Sequence, residues 1–453
     1  MPLLPTPSCL NLTRSRHSCP PVRCCAAADA SLLKWLREAG LPAQKVKLSS
    51  TVQEGRGLVA GQAIRRGEAL LHVPERLLIT PEAALRHSSV AALLNHAALP
   101  AWSVLAALLA ELKIGQTGPE STWGPYISAL PLQNGCVLEW SAAEVAMLQG
   151  TSLQKAAADI TSAADVSWEE LQPVLTDGCA QGLIPRGLLD RQLFTWSFST
   201  LLSRLVKLAG SGGVDVCVPW ADMLNHSPHV SAFFEYDQST KSVILRPDKS
   251  YRKGEQVYIS YGQKTSGQLL LSYGFMPAPG SNPHDACLLE LSLAEDDPCY
   301  QAKAACLRQH GAEPAREFPL RLDALPQALL LFAAFRDARP SGAAEVMVLA
   351  KQLFETGTFP VLHGCSLELA AMDAVLHACR AALARFSSTD KSDRDTLQQL
   401  QDQSLGHSSD AHKWRRISIL QLRIQERRVL NRTVSVLIGQ RRQLSQSRQV
   451  ASQ

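Results

Sequence analysis

Residues 219–227 read Pro-Trp-Ala-Asp-Met-Leu-Asn-His-Ser, and residues 254–262 read Gly-Glu-Gln-Val-Tyr-Ile-Ser-Tyr-Gly. The second stretch alternates in polarity, so Val257, Ile259 and Tyr261 share one face of a predicted strand. The glycine that follows ends this strand and leaves the Tyr261 hydroxyl near a predicted cleft. The pattern alone leaves two interpretations open: Tyr261 acts in a site, or it is a core tyrosine with a satisfied hydroxyl.

Short strands and longer helices surround these two stretches. Residues 51–80 predict short strands, because their apolar residues come in brief clusters separated by glycine turns. From about residue 81 to 210 the apolar spacing lengthens to that of a helix, as at Leu105, Leu108 and Leu112. Further strands are predicted at 214–218, 242–247 and 256–261, helices at 191–208 and 413–438, and mainly helices beyond Pro283.

The glycines Gly55, Gly57 and Gly61 form a run that could be confused with a dinucleotide-binding fingerprint. That fingerprint needs a helix directly after the glycines, because the helix N-terminus holds the pyrophosphate. The residues that follow are strand-like instead, which excludes an oxidoreductase of this kind. Glycines here allow backbone groups to approach a ligand or another strand, and a simple tight turn is the other interpretation.

The bulk composition narrows the classes of function. The 453 residues predict two or three folding units, and 46% apolar residues are enough to fill their cores. A net charge of only +4, with no concentrated basic region, makes nucleic acid an unlikely partner. No apolar stretch is long enough to predict a membrane span. The cysteines from Cys136 to Cys379 are scattered, which predicts buried thiols and no metal site.

Residues 1–28 differ from the rest of the chain. They contain no acidic residue before Asp29, but they do contain Arg14, Arg16 and Arg23 among several serines and threonines. This composition is typical of an organellar transit peptide, and the apolar run is too short for a secretory signal. We therefore predict a plastid transit peptide and a location in the chloroplast stroma. A disordered tail without a targeting role is the alternative.

Four motifs in order carry a resemblance to a known family. They are Glu-Gly-Arg-Gly-Leu at 54–58, the two stretches quoted above, and Leu-Ser-Tyr-Gly-Phe at 271–275. Together they resemble a SET domain of the Rubisco large-subunit lysine methyltransferase family of plant and algal chloroplasts. Residues 121–126 and 148–151 resemble the helical insert of this family, and residues 300–320 resemble the start of its substrate-binding domain. Chromatin-type SET enzymes usually end in a zinc-binding cysteine cluster, and its absence here favours the non-histone branch.

The resemblance implies an α+β fold. A SET domain of small curved β-sheets with a helical insert is followed by an all-α substrate-binding domain. The implied boundaries are 1–28 for the transit peptide, 29–280 for the SET domain with its insert at about 95–210, and 281–453 for the helical domain. The end of the SET domain would thread under a loop and lie beside the Asn225-His226 pair.

The resemblance also implies S-adenosylmethionine as the cofactor and assigns roles to individual residues. Tyr261 is the expected catalytic residue, with its ring as a channel wall and its hydroxyl orienting the amine and the methyl group. The expected cofactor-binding residues are Glu54, Gly55, Arg56, Gly57, Leu58, Asn225 and His226. The expected substrate-binding residues are Arg204, Asp222, Tyr273 and Phe234. A structural ion pair is the alternative for Arg204 and Asp222, and helix-end packing is the alternative for Tyr273.

Two features carry separate expectations. The family has a further channel tyrosine shortly after the Asn-His pair, where this chain has Phe233 or Phe234, and Tyr236 is out of register. The missing hydroxyl would change the number of methyl groups added or the substrate accepted. The arginines of the last helix are predicted to form a solvated face; they are Arg415, Arg416, Arg423, Arg427 and Arg428.

The implied function is that of an S-adenosylmethionine-dependent protein-lysine N-methyltransferase. Its expected partner is a non-histone stromal protein such as the Rubisco large subunit or aldolase, and the expected state is a monomer without a metal. Histidine is a variant acceptor within the class. The alternative is a catalytically silent SET-fold module that binds proteins in a plastid complex. Such a module would be expected to lose the cofactor or tyrosine motifs, and both are present.

Overall fold

The structure is a computed structural model. It describes residues 26–52, 55–115, 123–184, 190–208, 213–362, 365–402 and 411–451. Glu54 lies outside these residues, as does the predicted transit peptide except for its last three residues, which belong to the first helix.

The helices are α1 (Ala26–Glu38), α2 (Pro81–His87), α3 (Ala91–Ala97), α4 (Ala101–Lys113), α5 (Gly124–Ala129), α6 (Ala142–Ala146), α7 (Leu153–Ala180), α8 (Arg191–Arg204), α9 (Ser266–Tyr273), α10 (Tyr300–Gln309), α11 (Gln327–Asp337), α12 (Ala343–Ala350), α13 (Leu367–Ala384), α14 (Asp390–Asp402) and α15 (Ala411–Ala451). The strands are β1 (Val46–Val52), β2 (Gly55–Ala60), β3 (Leu71–Pro74), β4 (Leu205–Lys207), β5 (Asp215–Cys217), β6 (Asn225–His226), β7 (Phe234–Asp237), β8 (Ser242–Leu245), β9 (Tyr258–Ile259), β10 (Cys287–Ser292), β11 (Ala315–Leu320), β12 (Val361–Leu362) and β13 (Cys365–Ser366).

Small sheets make up the β part of the N-terminal half, as the resemblance implies. The pairs β1–β2 and β4–β5 are antiparallel, and β3, β8 and β7 form a three-stranded sheet in that order. In contrast, β6 pairs in parallel with β9, so that His226 lies opposite Ile259. The backbone N–H of Val257 donates to the Leu58 carbonyl at 2.9 Å, which brings β2 alongside the same segment. The motifs predicted to form one site are therefore adjacent in the fold.

Several local predictions agree with the structure. The glycine-rich run forms the strand β2, which pairs with β1, and the next element is a strand rather than a helix. Ser141 and Glu144 form a reciprocal capping box at the start of α6. Gly274 ends α9 in the left-handed conformation, with φ of 70°.

The prediction of a helix through residue 208 is wrong at its C-terminal end. The helix α8 ends at Arg204, and the chain continues as the strand β4. The reason is tertiary: Leu205 adopts an extended conformation and pairs with Cys217 of β5, which comes from a later part of the chain. The strand after β8 is also shorter than predicted, since β9 contains only Tyr258 and Ile259.

The buried apolar side chains form two large hydrophobic cores. The first lies between the small sheets and the helices of the insert, and it includes the fully buried Leu105 and Leu245. The second lies among the C-terminal helices and includes Phe332. A smaller cluster joins the two halves, because Leu270 of α9 packs in it with Ile419 of α15.

The C-terminal domain is mainly helical, as predicted, and it also contains the antiparallel pair β10–β11. This pair was not predicted from the sequence. Cys287, Leu289 and Leu291 alternate inward along β10 and are buried in the second core. A six-residue strand is stable only when a partner strand completes its hydrogen bonds. The partner β11 begins more than twenty residues later in the chain, so the local sequence of β10 did not indicate the pair.

The prediction of a solvated arginine face on α15 is wrong for three of the five arginines. Arg415, Arg423 and Arg427 are buried, whereas the remaining two are exposed. Arg415 pairs with Glu144 at 3.0 Å, and Arg423 and Arg427 pair with Asp393 at 3.1 and 2.7 Å. The helix is covered on both sides, by the insert and by α14, so its charged stripe is buried against carboxylates from distant segments.

The described residues contain neither a membrane-spanning helix nor a cluster of metal ligands. In that part of the chain, no helix combines the length and the low polarity needed to cross a bilayer. The same residues contain no group of three or more His, Cys, Asp or Glu side chains arranged to hold a metal ion.

Candidate functional site

A sharp turn before β6 determines where the Asp222 side chain lies. Trp220 takes a φ of 78°, a left-handed conformation that costs a residue other than glycine about 1–3 kcal/mol. A short 3-10 helix, Ala221–Met223, follows it. Because Trp220 is buried, the packing around it holds the turn in this conformation and fixes the position of the Asp222 carboxylate.

Asp222 belongs to a buried polar network with Arg204 and Tyr126. Nη1 of Arg204 donates to Oδ2 of Asp222 at 2.9 Å and to its carbonyl oxygen at 3.0 Å. The hydroxyl of the fully buried Tyr126 donates to the same Oδ2 at 2.7 Å. Among the described residues, Oδ1 of Asp222 and Nε of Arg204 have no partner. The two residues therefore form a structural ion pair that still has one unsatisfied acceptor and one unsatisfied donor.

We expect Tyr126→Phe to lower the free energy of unfolding by about 1–2 kcal/mol, because it removes a buried hydrogen bond to a charged group. Burial and the neighbouring Asp222 raise the pKa of Tyr126 well above its usual value, so the hydroxyl remains a donor at neutral pH. Urea denaturation measures the change.

Tyr236→Phe is the matched control for this substitution. It also removes a tyrosine hydrogen bond to a carboxylate, that of Glu75 at 2.8 Å, but at an exposed site. We expect a change below about 0.5 kcal/mol. Equal effects of the two substitutions would contradict a special role for the buried network.

His226 is neutral and has one unsatisfied donor. The backbone N–H of Tyr261 donates to Nδ1 at 3.0 Å, which is closer than the 3.3 Å contact between Nδ1 and the Ile259 carbonyl, so Nδ1 is assigned as the acceptor and the proton is placed on Nε2. Burial, with smaller contributions from His284 and Lys264, lowers the pKa of His226 to about 4. Its buried Nε2 has no partner among the described residues. This N–H is therefore available to a bound ligand.

Tyr261 lies at the centre of an aromatic stack. Its ring stacks on that of Tyr273, with 4.6 Å between centroids, and on that of His226 at 5.1 Å. Phe275 approaches edge-on at 6.4 Å. The Tyr261 hydroxyl donates to the backbone carbonyl of Leu224 at 2.8 Å. The position of the phenol is thus set by stacking on two sides and by one hydrogen bond.

Both stacked phenols remain protonated near neutral pH. Burial raises the pKa of Tyr273 to about 12, and it raises the pKa of Tyr261 above its usual value. These hydroxyls can donate hydrogen bonds and orient reactants, but they are not prepared to act as general bases at pH 7.

A cavity of about 390 Å³ opens beside this stack. Five of the predicted site residues line it together; they are Arg204, Asp222, Phe234, Tyr261 and Tyr273. A cavity with aromatic walls and a few polar groups suits a long side chain with an amine at its end. The geometry brings these residues together, and their individual roles stay predictions.

The phenylalanines after the Asn-His pair form one wall of the cavity. Phe234 is buried, whereas Phe233 is 38% exposed, and both contribute to the lining. Tyr236 points elsewhere, because its hydroxyl bonds Glu75. This agrees with the prediction that Tyr236 is out of register, and it leaves this wall without a hydroxyl.

The glycine-rich strand lies next to the Asn-His pair. The side-chain amide of Asn225 donates to the Arg56 carbonyl at 3.3 Å, and the Arg56 guanidinium pairs with Asp29 of α1 at 2.9 Å. Gly55 has a φ of 94°, and no atom of the described residues, apart from its neighbours in the chain, lies within 4 Å of where its Cβ would be. Of the predicted cofactor residues, only Glu54 cannot be placed, since it lies outside the described residues.

Sequence reasoning missed several contributors to this site. Tyr126 ends the segment 121–126 that resembles the helical insert, but nothing in the sequence connects it to Asp222, which is 96 residues away. The carbonyl of Leu224 and the ring of Phe275 were not predicted, and neither was Lys264, which also lines the cavity. Lys264 lies two residues after one predicted motif and Phe275 is the last residue of another, so proximity in sequence was the one signal that could have indicated them.

Two protein-family models match successive segments of the chain. Residues 55–262 match the SET domain, and residues 294–430 match the Rubisco LSMT substrate-binding domain. The first match covers the glycine-rich strand, the Asn-His pair and Tyr261. The second begins shortly after α9 and continues into α15.

Named relatives and a solved structure extend this similarity. The chain is 29% identical to the chloroplastic ribulose-1,5-bisphosphate carboxylase/oxygenase large subunit N-methyltransferase of Pisum sativum, over 80% of this chain and 74% of that protein. It is 31% identical to the chloroplastic fructose-bisphosphate aldolase-lysine N-methyltransferase of Arabidopsis thaliana, over 60% of this chain but only 56% of that protein.

A crystal structure of the SET domain of LSMT bound to lysine and AdoHcy is 26% identical, with a TM-score of 0.73. The match covers 92% of this chain and 93% of that chain. The fold therefore agrees over nearly the whole length of both proteins. With both domain types present in the same order, the chain belongs to the S-adenosylmethionine-dependent SET-domain protein methyltransferases of the Rubisco large-subunit methyltransferase family.

Proposed function

We propose that this methyltransferase transfers a methyl group to a lysine side chain of a stromal protein, with Tyr261 as the catalytic residue. The observation that carries the proposal is the stacked Tyr261–Tyr273 pair at the wall of the cavity. The Tyr261 hydroxyl donates its proton to the Leu224 carbonyl, so a donor that enters the cavity meets a phenol oxygen in a defined position that can accept a hydrogen bond.

The main obstacle to the reaction is the charge of the acceptor. A lysine with its reference pKa of about 10.4 must lose a proton before its nitrogen can attack, which costs about 4–5 kcal/mol at pH 7. Burial in an aromatic channel lowers this cost, because it destabilises the ammonium form. Tyr261, Tyr273 and Phe234 supply such walls, and the two phenols stay neutral at that pH.

The residues near β6 fit S-adenosylmethionine as the cofactor. When bound, it supplies an electrophilic methyl group on a sulfonium sulfur, and transfer forms a nitrogen–carbon bond as the carbon–sulfur bond breaks. The unsatisfied Nε2–H of His226 can donate to a ligand, and the space beside Gly55 and Gly262 lets a ligand approach the backbone. We assign Gly55, Arg56, Gly57, Leu58, Asn225 and His226 to this site, with Glu54 expected to join them.

The polar network at the cavity supports a role in substrate binding. The unsatisfied Oδ1 of Asp222 and Nε of Arg204 can pair with groups of the protein substrate. The helical domain, proposed to span 281–453, would hold the rest of that protein, while 29–280 forms the catalytic domain. The separate hydrophobic cores of the two halves support this division.

The names of two plant relatives indicate the chloroplast. We propose the stroma as the location, with residues 1–28 as a transit peptide, since this segment lacks acidic residues and contains several arginines. The Rubisco large subunit and aldolase are the first acceptors to test, because the two relatives are named for them.

The function is tested with residues 29–453 and with the full chain, using labelled S-adenosylmethionine. The acceptors are Rubisco and aldolase made in bacteria, so that they carry no plant methylation, and a chloroplast stromal extract. We expect label in one protein band, and mass spectrometry of that band to find a methylated lysine. Cofactor binding by calorimetry without transfer to any acceptor would favour a silent binding module, and a methylated histidine would change the acceptor class.

A further inference from the structure

Among the described residues that line the cavity, Lys264 is a half-buried cation without a carboxylate partner. Its charged lining residues are Arg204, Lys207, Lys264 and Asp222. Arg204 and Asp222 pair with each other at 2.9 Å, and Lys207 is exposed to solvent, which screens its charge. Lys264 is half-buried, and no carboxylate among the described residues pairs with its Nζ. The charge of Lys264 therefore acts on the cavity with little compensation.

The backbone of Lys264 is held so that its side chain faces the aromatic stack. Its N–H donates to the Gly262 carbonyl at 2.9 Å, in a tight turn that Gly262 permits with a φ of 96°. Its own carbonyl accepts from the side-chain amide of the buried Asn282 at 3.0 Å. The Nζ atom lies 6.0 Å from the centroid of the Tyr273 ring. Tyr273 in turn stacks on Tyr261, so the ammonium is adjacent to the proposed reaction site.

The charged group next to the Lys264 backbone is the Asp285 carboxylate, which shares the Asn282 amide with the Lys264 carbonyl and accepts from the Ser266 N–H at 2.7 Å, but the two described residues form no ion pair with each other. The phenols of Tyr261 and Tyr273 are neutral, as described above. His226 is also neutral near pH 7, and Lys264 contributes to the lowering of its pKa, as does His284. The field of Lys264 therefore already acts on one site residue.

We propose that Lys264 promotes methyl transfer by destabilising the protonated form of the acceptor amine inside the cavity. The proposal rests on the proposed lysine methyltransferase function. A second positive charge near an ammonium disfavours that ammonium, and the effect grows when both are partly removed from water. The acceptor then loses its proton to solvent more readily on entering, and its neutral nitrogen is the form that attacks.

The test is the pH dependence of kcat at saturating acceptor, which reports ionisation in the enzyme–substrate complex. The probe is the bacterially produced Rubisco or aldolase that accepts label from the wild type. For Lys264→Met we expect the rising limb of the profile to move to higher pH by about 0.5–1 unit. This corresponds to a fall of about 3- to 10-fold in kcat at pH 7, with convergence to wild-type values at high pH.

Two further variants make the result specific. Lys264→Arg keeps the charge and is expected to keep the wild-type profile, while Lys253→Met removes an exposed lysine outside the cavity lining and is expected to change nothing. Circular dichroism and cofactor calorimetry check that each variant folds and binds the cofactor.

A Lys264→Met enzyme whose kcat falls equally at every pH overturns the inference, because a purely structural role predicts that result. A wild type that transfers no methyl group to any acceptor overturns the proposed function instead. The two failures are therefore distinguishable.

Discussion

Tyr261→Phe is expected to lower kcat by about 100-fold or more while leaving cofactor affinity nearly unchanged. The phenyl ring at position 261 would remain in the stack with Tyr273 and His226, so the cavity wall keeps its shape. Only the hydroxyl is lost, together with its hydrogen bond to the Leu224 carbonyl. A loss of this size corresponds to about 2.7 kcal/mol of transition-state stabilisation. Steady-state methyl transfer and calorimetry with S-adenosylmethionine measure the two quantities.

Tyr236→Phe is the matched control for this prediction as well. It removes a tyrosine hydroxyl from the same half of the chain, but that hydroxyl bonds Glu75 outside the cavity. We expect kcat within about two-fold of the wild type, since surface substitutions away from a site have small effects. If Tyr261→Phe retained more than half of the wild-type kcat, the catalytic role of its hydroxyl would have to be abandoned.

Asp393→Ala is expected to lower the free energy of unfolding of the C-terminal domain by about 3–5 kcal/mol. Asp393 is buried, and it pairs with both Arg423 and Arg427 of α15. Its removal leaves two buried guanidinium groups without their carboxylate. Because burial disfavours an unpaired charge, the loss exceeds what one hydrogen bond contributes. Urea denaturation followed by circular dichroism gives the change.

Asp390→Ala, one turn earlier on α14, provides the comparison. Asp390 pairs with Arg394, but both side chains are about half exposed. Solvent screens such a pair, and we expect a loss below about 1 kcal/mol. Similar losses from the two substitutions would show that the Asp393 pairs are not effectively buried.

The buried charges on α15 also explain how the two halves of the chain are connected. Arg415 pairs with Glu144 of α6, and Glu426 accepts hydrogen bonds from the backbone N–H and hydroxyl of Ser152, at 2.9 and 2.6 Å. Ser152 directly precedes α7, so a helix of the C-terminal domain caps a helix of the insert. The helix α15 therefore links the proposed substrate-binding domain to α6 and to the start of α7 in the insert.

The sequence by itself was sufficient for features that depend on local patterns. The capping box at Ser141, the end of α9 at Gly274 and the exclusion of a dinucleotide-binding turn all depend on residues within a few positions of each other. Such patterns are visible because backbone geometry sets the spacing of side chains. The order of the motifs was also enough to indicate the family.

Only the tertiary structure decided which distant residues meet. The pairing of Tyr126 with Asp222, of Arg427 with Asp393 and of Lys264 with the Tyr273 ring cannot be inferred from the composition of any single segment. The arginines of α15 show the reason. A charged stripe is solvated or buried according to what packs against it, and that partner comes from another part of the chain.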